Sequence, residues 1–424
     1  MIAPFLNPRV SGRRASATLA INERTRALAA QGRNVYRLGF GQSPFPVPGR
    51  VVDALRQHAA AKDYDPTRGL PELRDAVAGW HRRRGVEASG DDVLIGPGSK
   101  ELMFLVQLAR SSELLLPSPS WVSYEPQAGV LGLPVTWIPT SAERRWSLEP
   151  DALDRACAAR GARPQLLILN CPSNPTGATL REPELTALAE VARRHGLLVL
   201  SDEIYGELDH TGSHVSLARY YPEGTVVTGG LSKWCGAGGW RLGTAVFPRS
   251  LRWLLDAVAS LASETYSTAA APIQRAAITA FSGGEDLDQY LVRSRRVLAG
   301  LGQAVTRGLI GRGVDVVAPD GGFYLFPDFG RHRQRLKERG ITTSPELCER
   351  LLDETGVALL PGEPFGRPAD ELTARLSYVD FDGSAVLQAL ERDSDTMVDL
   401  EFLQRWCPRT LEGVARITEW LTAG

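Results

Sequence analysis

Histidine, cysteine and methionine are scarce in this chain, and neither sign of charge dominates it. Its 424 residues include 6 His, 5 Cys and 3 Met, with a formal net charge of −1. Without a basic excess there is no electrostatic footprint for nucleic acid or for an anionic membrane surface. No apolar run approaches the roughly 18 residues of a membrane span. The cysteines, at 157, 171, 235, 348 and 407, are odd in number and form no CxxC pair. Such a set fits buried, reduced thiols in a cytoplasmic protein rather than a disulfide framework. The histidines make no HExxH-like cluster, so no metal site is expected. The opening stretch "MIAPFLNPRVSGRRASATLAINERT" lacks the apolar core of a signal peptide. Its Arg and Ser content would also suit a transit peptide, but the text that follows reads as amphipathic helix, which favours mature protein.

What is present is ordinary globular composition, 43% apolar and 23% charged. The length favours two domains with room for a cleft between them. Short apolar runs recur: "DVLIGPGS", "ELLLPSPS", "PVTWIP", "QLLILNCPSNPTG", "GLLVLSDEIY", "GTVVTGGLSK" and "LGTAVFP". Bounded by Gly, Pro, Ser or Asn, they read as buried strands of a mainly parallel sheet. Helical patterns such as "EPELTALAEVARRHG" lie between them. That alternation predicts a sheet sandwiched by helices, an α/β fold. After residue 284 a long amphipathic helix, roughly 285 to 311, leads to "VDVVAPDGGFYLFPDF", "GVALLPGEPFG" and "LTARLSYVD". These predict a smaller α+β unit, with helices over the last thirty residues. The expected division is a large domain at 46–290 and a small domain formed by 1–45 and 291–424.

Ligands of open α/β sheets lie beyond the carboxyl ends of the strands, and several polar residues fall there. "GPGSK" opens a helix, so the N–H groups of Ser99 and Lys100 could receive a phosphate, or could simply make a turn. Asn174 starts a turn in "NCPSNPTG". Asp202 ends the strand "GLLVL", where a helix cap is the plain alternative. In "GGLSKWCGAGGWRLG", Lys233 is followed eight residues later by Arg241 among glycines that let the backbone approach a ligand.

Asn174, then Asp202 with Tyr205, then Lys233 with Arg241, follow one another on successive strands. This series resembles the class I/II aminotransferases, the aspartate-aminotransferase-like group of fold-type-I pyridoxal-phosphate enzymes. "LGFGQSPFPVP" resembles the family's N-terminal segment, "YDPTRGLPELR" its tyrosine segment, "PSWVSYEP" its ring-stacking segment and "ARLSY" its arginine segment. The resemblance implies the type I transferase fold with pyridoxal 5'-phosphate as cofactor. Lys233 would bond the cofactor aldehyde and serve as base, and Asp202 would hold a proton on the ring nitrogen. Tyr205 and Asn174 would donate to the ring oxygen, and Trp121 would stack on the ring. Ser99, Lys100, Arg241 and Tyr64 would bind the phosphate. Gly41, Asn174 and Arg375 would take the substrate carboxylate, for which arginine offers a planar two-pronged donor.

The reaction so implied is amino-group exchange between an α-amino acid and a 2-oxo acid, by a ping-pong route. A homodimer with shared sites is implied too, Tyr64 reaching the neighbouring subunit's phosphate. A lyase, synthase or amino-acid oxidase of the same fold is the nearest alternative, and a catalytically dead binding homologue a more distant one. The chain departs from the family pattern at Gly230, where many relatives carry a phosphate-binding serine. Ser232 keeps the second serine, and Thr228 is a possible replacement for the first. Arg68 is a candidate for a side-chain carboxylate, or a solvated loop charge. Cys171 and Cys235, close to the site in sequence, are read as inert buried thiols.

Overall fold

The seven apolar runs all form strands of one sheet. In the computed structural model, which describes residues 6–9, 11, 17–159, 161, 163–393 and 395–422, they are β1 (Val93–Gly96), β2 (Glu113–Ser118), β3 (Val135–Pro139), β4 (Gln165–Asn170), β5 (Leu198–Asp202), β6 (Thr225–Gly230) and β7 (Gly243–Val246). Their order is β1-β7-β6-β5-β4-β2-β3. All neighbours are parallel except β7, which runs antiparallel to both β1 and β6. Leu198, Val199 and Leu200 of β5 are buried on both faces, as expected of an interior parallel strand covered by helices. One face packs on Leu102, Val106, Leu254 and Val258. The other packs on Leu153, Leu185, Leu188 and Ala192. The helix Glu182–Arg194 begins with Pro at its first turn. The chain then turns at Gly196, whose φ of +57° favours glycine.

The second sheet is antiparallel, with β8 (Tyr324–Leu325), β9 (Leu360–Pro361) and β10 (Ala374–Ser377) in the order β8-β10-β9. It is smaller than the sequence suggests. "VDVV" forms no strand and contributes only an isolated bridge between Asp315 and Asp328. The long helix spans Glu285–Ile310, and the chain closes with the helices Leu400–Trp406 and Pro408–Thr422. One apolar cluster joins Val51, Val77 and Trp80 to Leu301, Leu359, Leu376 and Ile417. Packing is therefore continuous between the two sheets, and the division at residues 46 and 291 remains our proposal. Near the N-terminus the first helix is Ala17–Ala30; most of the stretch before it lies outside the described residues. Among the described residues no helix is long and apolar enough to cross a membrane, and no cluster of His, Cys, Asp or Glu could hold a metal ion.

Candidate active site

The carboxyl ends of five parallel or near-parallel strands open into one cavity of about 550 Å³. β1 delivers Ser99 and Lys100, β2 delivers Trp121 and Tyr124, and β4 delivers Asn170 and Asn174. β5 supplies Asp202 and Tyr205, and β6 supplies Ser232 and Lys233. Arg241 enters from the same end because β7 runs the opposite way and starts just after it. Arg375 on β10, Tyr324 on β8 and the segment Phe40–Gln42 close the cavity from the other sheet.

Asp202 lies at the floor. Register places it beside Asn170 of β4 and Thr228 of β6. Its Oδ2 accepts from the Tyr124 hydroxyl at 2.7 Å, and Oδ1 from the Ile204 N–H at 3.4 Å. Burial raises its carboxyl to about 6, while the Tyr124 hydrogen bond pulls the other way. The two effects have different origins: lost hydration disfavours the charge, and a donor favours it. Lys233 donates from Nζ to the Gly41 carbonyl at 2.7 Å. Burial is the main cause that lowers its ammonium to about 7; Arg375 adds to it, and Asp202 opposes. An amine so placed is available as a nucleophile and base near neutral pH.

The opening of the helix Ser99–Ala109 has no side-chain cap. Two cations flank it. Arg241, in the left-handed region at φ +55°, donates to the Gly238 and Pro97 carbonyls at 3.1 and 3.2 Å. A Cβ at Gly98 would collide with its guanidinium, so glycine there makes the cradle possible. Lys100 Nζ stands 4.9 Å from the centre of the Trp121 ring, and burial lowers its ammonium. A helix N-terminus beside two cations that form no ion pair among the described residues suits a phosphate-like anion.

Arg375 is only 1% exposed. It donates to Asn174 Oδ1 at 3.1 Å and to the Gly39 carbonyl at 2.7 Å, and Nε has no partner among the described residues. Its guanidinium lies over the Tyr324 and Phe365 rings, at 4.7 and 5.3 Å. A buried guanidinium without a carboxylate is costly unless an anion joins it. Above it, a Cβ at Gly41 would collide with the Tyr324 hydroxyl. The Tyr324 and Tyr205 hydroxyls are 2.8 Å apart, and burial raises both above their ordinary range.

Of the residues the sequence singles out, Gly41, Ser99, Lys100, Trp121, Asn174, Asp202, Tyr205, Lys233, Arg241 and Arg375 line this cavity. Tyr64 does not: it is 88% exposed and stands outside it. Thr228 lies buried behind Asp202 and bonds Oδ1 weakly, at 3.5 Å, rather than facing the helix opening. Arg68 is paired with Asp256 outside the cavity. Cys171 and Cys235 are buried thiols pushed up to about 12 by desolvation. Sequence reasoning missed Tyr124, Asn170 and Tyr324. The rule that picked Asp202, a polar residue just beyond a strand, also selects Asn170 and Tyr124. Tyr324 gave no such signal, since "FYLF" reads only as core.

The sequence matches the family model "Aminotransferase class I and II" over residues 33–392. The chain belongs to this family. Aspartate aminotransferase of Geobacillus stearothermophilus is 34% identical over 384 residues, covering 88% of this chain and 94% of that one. Asparagine–oxo-acid transaminase of Streptococcus mutans is 32% identical, with 88% and 94% covered. Among solved structures, the aspartate aminotransferase from Thermus thermophilus with maleate superposes with a TM-score of 0.84 at 28% identity, over 98% of this chain and 99% of that one. The aminotransferase thus has the type I fold that its strand order describes, in a family whose members depend on pyridoxal phosphate.

The electrostatics of Lys233 make a prediction for the cofactor-free protein. Acylation of Lys233 by a small amine-reactive anhydride, which releases its carboxylate, followed by mass spectrometry across pH, should have a midpoint near 7 rather than at the ordinary 10.5. Arg375→Gln removes a cation that lowers this value, so the midpoint should move upward. A wild-type midpoint above 9 (roughly the range of a solvated lysine) would show that burial does not control this amine.

Proposed function

We propose that the protein holds pyridoxal phosphate in this cavity, bonded through Lys233, and uses it to exchange an amino group between an α-amino acid and a 2-oxo acid. The observation that carries the reading is the pairing of Lys233, lowered to about 7, with the buried Asp202 in one cavity. The residues present fit the cofactor. The uncapped helix opening with Arg241 and Lys100 suits its phosphate, and Asp202 suits a protonated ring nitrogen. The orphaned Nε of Arg375 suits the carboxylate of the amino acid.

When bound, the cofactor supplies an aldehyde for the amino group and a ring that takes up the electrons released at the substrate Cα. The chain's own residues do the rest. Arg375, fixed by Asn174 and Gly39, orients the substrate by its carboxylate, which places the Cα–H bond relative to Lys233. Lys233, freed as a neutral amine, would take the proton from the substrate Cα onto Nζ and deliver it to the carbon that carried the cofactor's aldehyde. Asp202 keeps a proton at the ring nitrogen through a charge-assisted hydrogen bond, and the Tyr124 hydroxyl holds the carboxylate in place for it. Trp121 and Ile204 add apolar surface to the cavity lining.

The same reading takes the working form as a homodimer in which Tyr64, exposed on one chain, reaches the neighbouring subunit's phosphate site. Symmetric dimers are the commonest closed assemblies. Chains carrying Tyr64→Phe mixed with chains carrying Lys233→Ala should form hybrid dimers with one intact site. Activity in the mixture above the sum of the parents is expected; activity that never exceeds it would count against sharing.

Reduction with borohydride tests the attachment. It should fix the cofactor covalently, and peptide mapping should find it on Lys233 alone. A label on another lysine, or none, would remove the basis of the reading.

A further inference from the structure

We propose that Tyr324 is a positioning residue that ties the carboxylate anchor to the ring-oxygen donor: its ring supports Arg375, and its hydroxyl donates to Tyr205, which leaves the Tyr205 proton for the cofactor. The inference rests on the aminotransferase reading and adds a residue to it. Tyr324 lies on β8 opposite Ser377 of β10. Side chains alternate along a strand, so Arg375, two residues before Ser377, shares that face. Across such a diagonal a long side chain can reach an aromatic ring. The Arg375 guanidinium stands 4.7 Å from the centre of the Tyr324 ring. At the far end of the ring, the hydroxyl meets that of Tyr205 at 2.8 Å. A Cβ at Gly41 would meet the Tyr324 hydroxyl, so glycine there makes room for it. Tyr324 and Tyr205 are 1% and 2% exposed, and their contact is complete within one chain.

Each phenol has one proton to give and can also accept one. Neither hydroxyl has another hydrogen-bond partner among the described residues. A separation of 2.8 Å admits donation either way, and the charges around the pair choose between the two. Burial raises both phenols, Tyr205 the more strongly. At Tyr324 the Arg375 charge opposes that rise; at Tyr205 the same charge is itself opposed by Tyr324 and Asp202. Tyr324 is therefore the more acidic phenol and the better donor, and Tyr205 the better acceptor. The Tyr205 proton is then free to point at an oxygen in the cavity. A hydroxyl that receives a hydrogen bond also donates more strongly. The other charged groups of the lining among the described residues are the cations Lys100, Lys233 and Arg241, which favour negative charge at such an oxygen. Lys233 Nζ stands 5.5 Å from the centre of the Tyr205 ring.

The absorbance of the holoenzyme across pH reads this arrangement. With the cofactor joined to Lys233, a proton on Nζ gives the ring oxygen a positive neighbour; once that proton leaves, the oxygen depends on its donor. A weaker Tyr205 donor therefore lets Nζ keep its proton to higher pH. In Tyr324→Phe the absorbance midpoint should rise by at least about 0.3 pH unit, roughly twofold in the proton equilibrium. A smaller rise, no change or a fall would overturn the role given to the hydroxyl. The ring is tested separately with propionate, whose one charged group is a carboxylate, by calorimetric titration of the same proteins. Phenylalanine keeps the ring under Arg375, so propionate should bind Tyr324→Phe within about twofold of the unaltered protein. Tyr324→Leu removes the ring and should weaken propionate by at least about threefold. Weakening beyond twofold in the Phe variant, or less than threefold in the Leu variant, would overturn the support assigned to the ring. Failure of the unaltered protein to take up the cofactor, or to fix it on Lys233 under borohydride, would sink the aminotransferase reading itself. Cofactor fixed on Lys233 with an unmoved midpoint in Tyr324→Phe leaves that reading standing and removes only the role of Tyr324.

Discussion

Among the described residues, Asp202 is the one carboxylate in a cavity that also contains Lys100, Lys233, Arg241 and Arg375, and much of the local structure serves to keep it there. Four cations around one anion repel one another, and the buried Arg375 and part-buried Lys233 have little water to spread the charge. The chain manages this by leaning each group on a backbone carbonyl or an aromatic face. Arg241 rests on Pro97 and Gly238, Arg375 on Gly39, Lys233 on Gly41, and Lys100 faces Trp121. The residual positive charge is what makes the cavity receptive to a phosphate and a carboxylate. Burial, with the repulsion of Arg375 added to it, lowers Lys233 to about 7, while desolvation raises Asp202 to about 6. Opposite shifts in adjacent groups bring a base and an acid into one working range.

The sheet makes this arrangement possible without strain elsewhere. Parallel strands point their carboxyl ends the same way, so each loop adds one or two polar groups at the same edge. β7 reverses, and for that reason Arg241 arrives beside Ser99 rather than at the far edge. Gly98 then lets the guanidinium lie against the turn. The second sheet brings Arg375 and Tyr324 over the open side, which is why two units of structure are needed for one site.

The large sheet was legible in the sequence because its strands are short apolar runs closed by Gly, Pro, Ser or Asn, and burial on both faces of the interior ones leaves no other pattern. The polar residues just beyond those runs could be read for the same reason. Asp202 ends its strand, Asn174 and Lys233 follow theirs within four residues, and Arg241 stands just before β7. The second sheet was harder: β8 and β9 have two residues each, too few for a period, and "VDVV" looks like a strand yet forms a bridge at one residue only. Leu19, Phe40 and Tyr324 reach the cavity from segments far apart in the chain, and nothing local marks them. Thr228 shows the opposite error. Its place before Lys233 suggested a phosphate ligand, but the alternation of side chains along β6 turns it behind Asp202. The role given to Tyr64 depends on a neighbouring chain, so one chain's fold leaves it at the surface.

The account stands or falls on the charge of Asp202. Asp202→Asn nearly preserves shape and the Tyr124 contact but removes the negative charge that would hold a proton at the ring nitrogen. The direct measurement is deuterium exchange at the substrate Cα, followed by NMR in the loaded variant, with borohydride labelling of Lys233 as the check that cofactor is still bound. Labelling should persist while exchange falls by at least a thousandfold, about 4 kcal/mol of lost transition-state stabilisation. Exchange within about tenfold of the unaltered protein (about 1.4 kcal/mol), with labelling intact, would contradict the role assigned to this carboxylate.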